Sequence, residues 1–107
     1  MNVFNNVPIL NLTLEQILKE KRQEIIEIVA RHGANNVRIF GSAVRGEATP
    51  ESDIDLLVDT GSDISSWFPA GLIIDLQELL GWRVEVVTER GLNPFLREHV
   101  LREAIPL

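Results

Sequence analysis

Two aspartates one residue apart, Asp53 and Asp55, head the apolar run Leu56-Leu57-Val58, and this pairing limits the chain more than any other feature. In a strand, residues two apart share a face. The two carboxylates therefore point one way, while Ile54, Leu56 and Val58 point into a core. Like charges held that close repel and resist joint ionisation. A cation is the natural remedy, and a donor set made only of oxygen suits Mg2+ or Mn2+. Upstream, the strand-like Val37-Arg38-Ile39-Phe40 runs into Gly41-Ser42, and a polar loop carrying Arg45, Gly46, Glu47, Pro50 and Ser52 leads on to the aspartates.

Gly41-Ser42, ten residues, then Asp53-Ile54-Asp55 resembles the signature of the DNA polymerase beta-type nucleotidyltransferase superfamily. The wider text GSAVRGEATPESDIDLLVD is similar to the minimal nucleotidyltransferase (MNT) proteins, the antitoxin halves of HEPN/MNT toxin–antitoxin pairs. The tail from Gly91-Leu92-Asn93-Pro94 to Leu107 is similar to their closing helix, so the likeness covers Val37 to the C-terminus. It implies a Mg2+-dependent nucleotidyltransferase that moves AMP from ATP to an acceptor and releases pyrophosphate. The implied acceptor is a tyrosine hydroxyl on a cognate HEPN ribonuclease toxin, silenced by the modification.

Such transfer asks the protein for metals and alignment more than for covalent chemistry, and a pair of cations ~3.5–4 Å apart supplies both. By the resemblance, Asp53 and Asp55 are the first two ligands and a third carboxylate comes from a neighbouring strand. Glu85 is the acidic residue inside the third strand-like segment, set against Val84 and Val86, and is assigned as that third ligand and catalytic group. The family often has aspartate there; glutamate adds one methylene of reach and leaves the metal less rigidly held. Gly41 and Ser42 are the expected phosphate cradle, glycine permitting close backbone approach and serine donating from its hydroxyl. Arg45 is the third nucleotide-binding candidate, set against the alternative of a salt bridge to Glu47 or Glu51. Glu85 in place of aspartate also keeps open a binding module that neutralises a partner by steric contact. Transfer to a small molecule such as an aminoglycoside is the weakest enzyme reading, since those relatives usually carry a further substrate-binding domain.

A chain of 107 residues fits one domain, residues 1–107, with one modest core. No apolar run approaches the ~20 residues that span a bilayer, and the N-terminus lacks the order of a secretory signal. Without cysteine there is no disulfide framework and no thiolate zinc site. A soluble cytoplasmic protein is expected. The net charge of −6 argues against direct nucleic-acid binding, which relies on basic surface, and favours a protein acceptor.

Residues 1–12 read as an irregular N-terminal arm interrupted by Pro8. Thr13 with Gln16 reads as a capping box, opening a helix that carries Leu14, Ile17, Leu18, Ile25, Ile28 and Val29 and stops at Gly33. His32 and His99 read as helix-end cations rather than ligands. Strands are expected over Val37–Phe40, Ile54–Asp59 and Trp82–Thr88, with one helical turn over Ser42–Arg45. Helices are expected over Ser66–Leu80 and from Asn93-Pro94, as N-cap and N1, to a close at Pro106. The fold class is therefore α/β, of the α+β kind: a small mixed sheet of about three strands flanked by helices.

Two other motifs fail. Gly41-xxxx-Gly46 has the spacing of a P-loop, but Glu47-Ala48 stands where Lys-Ser/Thr is required, and a glutamate there repels phosphate. Leu56-Leu57-Val58-Asp59-Thr60-Gly61-Ser62 resembles the active-site tripeptide segment of retroviral-type aspartic proteases. Those folds are nearly all β, whereas at least three segments here have helical period and caps, and that reading leaves Asp53 and Asp55 without a role.

Overall fold

A computed structural model describes residues 7–107, with side chains described from Leu14 onward. Along the chain lie α1 (Val7–Glu20), α2 (Arg22–Arg31), β1 (Ala34–Phe40), α3 (Ser42–Arg45) and β2 (Ile54–Thr60), followed by α4 (Ala70–Leu80), β3 (Val84–Thr88), α5 (Pro94–Glu103) and β4 (Ile105–Pro106). The strands form one mixed sheet in the order β3-β2-β1-β4. β1 runs antiparallel to both β2 and β4, and β2 runs parallel to β3 through the α4 crossover.

Alternation on the central strands decides the layers. Ile54, Leu56 and Val58 of β2 join Val37 and Ile39 of β1 and Val84 and Val86 of β3 in one core. Ile25, Ile28 and Val29 of α2 and Leu72, Leu76 and Leu80 of α4 cover them. These helical positions recur three and four apart, the stripe that a helix lays on a sheet. The opposite phase of β2 carries Asp55, Leu57 and Asp59, so a single strand delivers apolar groups to the core and carboxylates to the other face.

Helices flanking a small mixed sheet match the expected class, and the sheet has a fourth strand. β4 is only two residues long, too short to leave a period, and pairs Ile105 with Ile39 and Pro106 with Arg38. The expected last helix accordingly ends at Glu103, short of Pro106. Helix starts moved as well. α1 begins at Val7, so residues 7–12 are helical where an irregular arm was expected; residues 1–6 lie outside the described part. Pro8 occupies the first turn, where its missing N–H breaks no intrahelical bond. The single long helix expected up to Gly33 is bent at Lys21, although its hydrogen bonds continue through Lys21 N–H to Ile17 O and Ile25 N–H to Lys21 O. Nothing in the sequence accounts for that bend. α4 starts at Ala70 instead of Ser66, because Pro69 cannot donate within a helix and disfavours helical backbone before it.

Leu56 lies at the centre of the sheet and is fully buried. Replacing it with alanine removes apolar contact and leaves a cavity, with an expected loss of about 2–5 kcal/mol, read from urea unfolding at constant slope.

Candidate active site

β1 delivers the chain to Gly41, and β2 brings Asp55 back beside it, since Asp55 pairs with Phe40 across the antiparallel ladder. Gly41 has φ +81°, and a Cβ there would collide with the Asp55 Oδ2. Both the backbone conformation and the neighbouring carboxylate therefore demand glycine. The close approach that the sequence reserved for phosphate is made, at the Cα, by an aspartate.

On the other side of β2, Asp55 pairs with Glu85 in the parallel register, which puts both side chains on one face of the sheet a strand spacing apart. Asp53 lies just ahead of β2 and is exposed; its Oδ1 accepts from Arg83 Nε at 3.0 Å. All three acidic positions singled out in the sequence thus gather at one end of the β2–β3 pair. Among the described residues, no three His, Cys, Asp or Glu side chains converge as a ready-made metal cluster, and Asp53 is engaged by arginine instead. The donor chemistry nevertheless fits a hard divalent cation. Burial, then the charges of Asp53 and Glu85, push the Asp55 carboxyl up to about 6, with Arg45 only partly offsetting them. Surplus negative potential of this kind is what a cation relieves.

Beyond Gly41, α3 is a single turn with no buried residue and no side-chain N-cap. Ser42 opens it and is half-buried. Arg45, at its end, donates from Nε to Glu47 Oε1 at 2.8 Å and from Nη1 to Glu103 Oε1 at 2.6 Å. The first of these is the salt bridge weighed in the sequence. The second comes from the last residue of α5 and was not anticipated. The other oxygen of Glu103 accepts the Gly41 N–H at 2.7 Å. Burial raises the Glu103 carboxyl, but the Arg45 and Gly41 hydrogen bonds outweigh it and hold the group below the usual carboxylate range. Sequence reading missed Glu103 because the pairing depends on β4 returning to β1, and missed Arg83 because nothing local links it to Asp53. Ser52 closes the turn ahead of β2: its Oγ accepts the Thr49 N–H at 2.9 Å.

Two further residues have partners that explain them. His32 caps α2 and its Nε2 lies 2.7 Å from Asp75 Oδ2, a structural pairing well away from the carboxylates. Asp59, the residue that imitated a protease aspartate, lies within β2 and is bound by Arg38 and Asn36.

The nucleotidyltransferase domain profile matches residues 14–107. The protein adenylyltransferase MntA of Thermococcus cleftensis is 39% identical over 98 residues, covering 88% of this chain and 95% of the relative. A Methanocaldococcus jannaschii chain, named as a candidate protein adenylyltransferase, is 38% identical over 88 residues, with 82% and 95% covered. Among solved structures, a minimal nucleotidyltransferase superposes with a TM-score of 0.77 at 52% identity, covering 88% of this chain and 95% of that one. A toxin–antitoxin complex with AMP-PNP shares the fold at TM-score 0.67 and 22% identity, over 78% of this chain and 69% of that one.

Two outcomes follow from the geometry. The folded state raises the Asp55 pKa from 3.8 to about 6, so this group's contribution to stability is complete below 3.8 and is lost as pH rises through 6. In EDTA, Asp55→Asn is expected to stabilise the protein by about 1 kcal/mol at pH 7, after allowance for solvent screening, and the gain should fade towards pH 4 in paired thermal melts. Gly41→Ala is expected to cost about 1–3 kcal/mol from its backbone conformation alone, measured by denaturant unfolding, and to displace the Asp55 carboxylate.

Proposed function

This chain belongs to the nucleotidyltransferase domain family, and on that premise we propose that it transfers AMP from ATP to a hydroxyl group of a partner protein. The observation that carries this reading is the placement of Asp55 and Glu85 in register on one face, with Asp53 beside them and the Gly41-Ser42 turn touching Asp55. Asp53, Asp55 and Glu85 would hold Mg2+, or Mn2+, with two ions expected. The metal would neutralise the triphosphate and make the acceptor hydroxyl easier to deprotonate. Ser42 donates its hydroxyl to a phosphate oxygen, Gly41 shapes the turn that presents it, and Arg45 supplies positive charge at the same end. The acceptor oxygen bonds to the α-phosphorus, the bond to the bridging oxygen breaks and pyrophosphate leaves. Glu85 orients the hydroxyl and takes its proton.

The acceptor is assigned to a tyrosine of a cognate HEPN ribonuclease toxin, whose modification neutralises it. Support comes from the adenylyltransferase names of the relatives and from the toxin–antitoxin complexes that share the fold. The chain itself contains no tyrosine, so this acceptor must lie on another molecule. No described helix is long and apolar enough to cross a membrane, and the acidic balance leaves direct nucleic-acid binding disfavoured. The Arg83–Asp53 pair favours a second reading, in which the same fold neutralises its partner by contact and catalysis is weak.

Incubating the protein with ATP, Mg2+ and a cognate HEPN toxin should increase the toxin's mass by one or more AMP units. Asp53→Asn/Asp55→Asn should lower the rate at least a hundredfold, about 2.7 kcal/mol of barrier. An unmodified but neutralised toxin would leave the contact reading standing instead.

A further inference from the structure

Glu103 is the acidic side chain that closes α5, and it ties together two residues about sixty positions upstream. One carboxylate oxygen accepts the Gly41 N–H at 2.7 Å and the other accepts from Arg45 Nη1 at 2.6 Å. Its side chain is only 12% exposed. These two bonds grip the Ser42–Arg45 turn at both ends. Ala43 and Val44 pack partly against the core, but four residues are too few for a stable helix, so the polar ends of the turn depend on these bonds.

The grip is itself rigidly based. Directly after Glu103 the chain enters β4, where Ile105 pairs with Ile39 and Pro106 with Arg38, and the Leu107 N–H donates to Val37 O at 3.0 Å. β1 therefore carries Gly41 at its end and also carries the strand that places Glu103. Sheet register thus fixes the backbone on both sides, and the Glu103 side chain spans the short remaining gap. Gly41 in turn touches the Asp55 carboxylate, so a shift of Gly41 moves the phosphate-binding turn relative to the acidic group.

We infer that Glu103 is a positioning residue for nucleotide binding, fastening Gly41 and Arg45 so that the Ser42 turn meets the triphosphate in one fixed orientation. The inference rests on the nucleotidyl-transfer reading above. The opposite role, a carboxylate that occupies phosphate donors and is expelled by the nucleotide, would break both bonds of a largely covered side chain at the end of α5, where β4 anchors the chain.

The test is titration of the full chain with ATP and Mg2+ by calorimetry at 25 °C, well below the melting temperatures, for wild type, Glu103→Ala and Glu103→Gln. Loss of both anchors should weaken ATP binding roughly tenfold or more in the alanine variant. Glutamine keeps a carbonyl oxygen for the Gly41 N–H but surrenders the charged bond to Arg45, so it should recover part of the affinity and settle roughly threefold below wild type. A role confined to stability would lower the melting temperature and leave affinity unchanged, which overturns the inference, as would tighter binding by the alanine variant. If the alanine variant does not fold, the glutamine variant decides: weaker binding supports the assignment and wild-type affinity overturns it. Wild type that does not bind ATP overturns the nucleotide reading itself and this assignment with it, an outcome distinct from wild type binding normally while the variants match it.

Discussion

Repulsion between carboxylates held at adjacent strands is the constraint around which the rest of the molecule is built. Asp55 and Glu85 are directly paired in a parallel ladder, and neither can move away without shifting a strand whose other face is core. The surrounding cations fit this picture: Arg83 meets Asp53, and Arg45 stands close enough to Asp55 to lower its pKa. They moderate the charge without removing it: burial first, then the charges of Asp53 and Glu85, keep the Asp55 carboxyl raised to about 6. Backbone register forbids the collapse of the strands that would otherwise relieve this excess of negative charge.

The parallel pairing also explains the architecture. Parallel neighbours need a crossover, and α4 supplies it while burying Leu72, Leu76 and Leu80 against the sheet. The antiparallel return from β1 to β2 is what brings Gly41 against Asp55. One sheet with two kinds of pairing therefore brings the acidic residues and the glycine turn to the same end.

Much of this was legible from residue order. Alternation in Ile54-Asp55-Leu56 separates core from site, and Asn93-Pro94 marks the start of α5, with the Asn93 Oδ1 accepting from the Phe95 N–H. The period-two reading of Val84 to Val86 likewise placed Glu85 on the outward face, and the register aligned it with Asp55. What escaped has a common cause. β4 is two residues long, and the Glu103 bonds exist only after the chain has folded back on β1; neither leaves a periodic signal. The start of α1 escaped because Pro8 reads as a breaker until its place in the first turn is known. The Arg83–Asp53 pair spans an entire crossover, and charge pairing across such a separation has no local spacing rule.

Trp82 gives the acidic end of the sheet an optical handle. Its indole Nε1 donates to Ser52 O at 2.7 Å, one residue from Asp53, while Arg83 follows it directly in the chain. The ring is partly packed against the core, whereas Trp67, the only other tryptophan, is 77% exposed. The two fluorophores therefore sit in contrasting polarity. Emission from the less solvated one is tied to the backbone that carries Asp53, so the protein reports rearrangement of its own acidic loop without an added label.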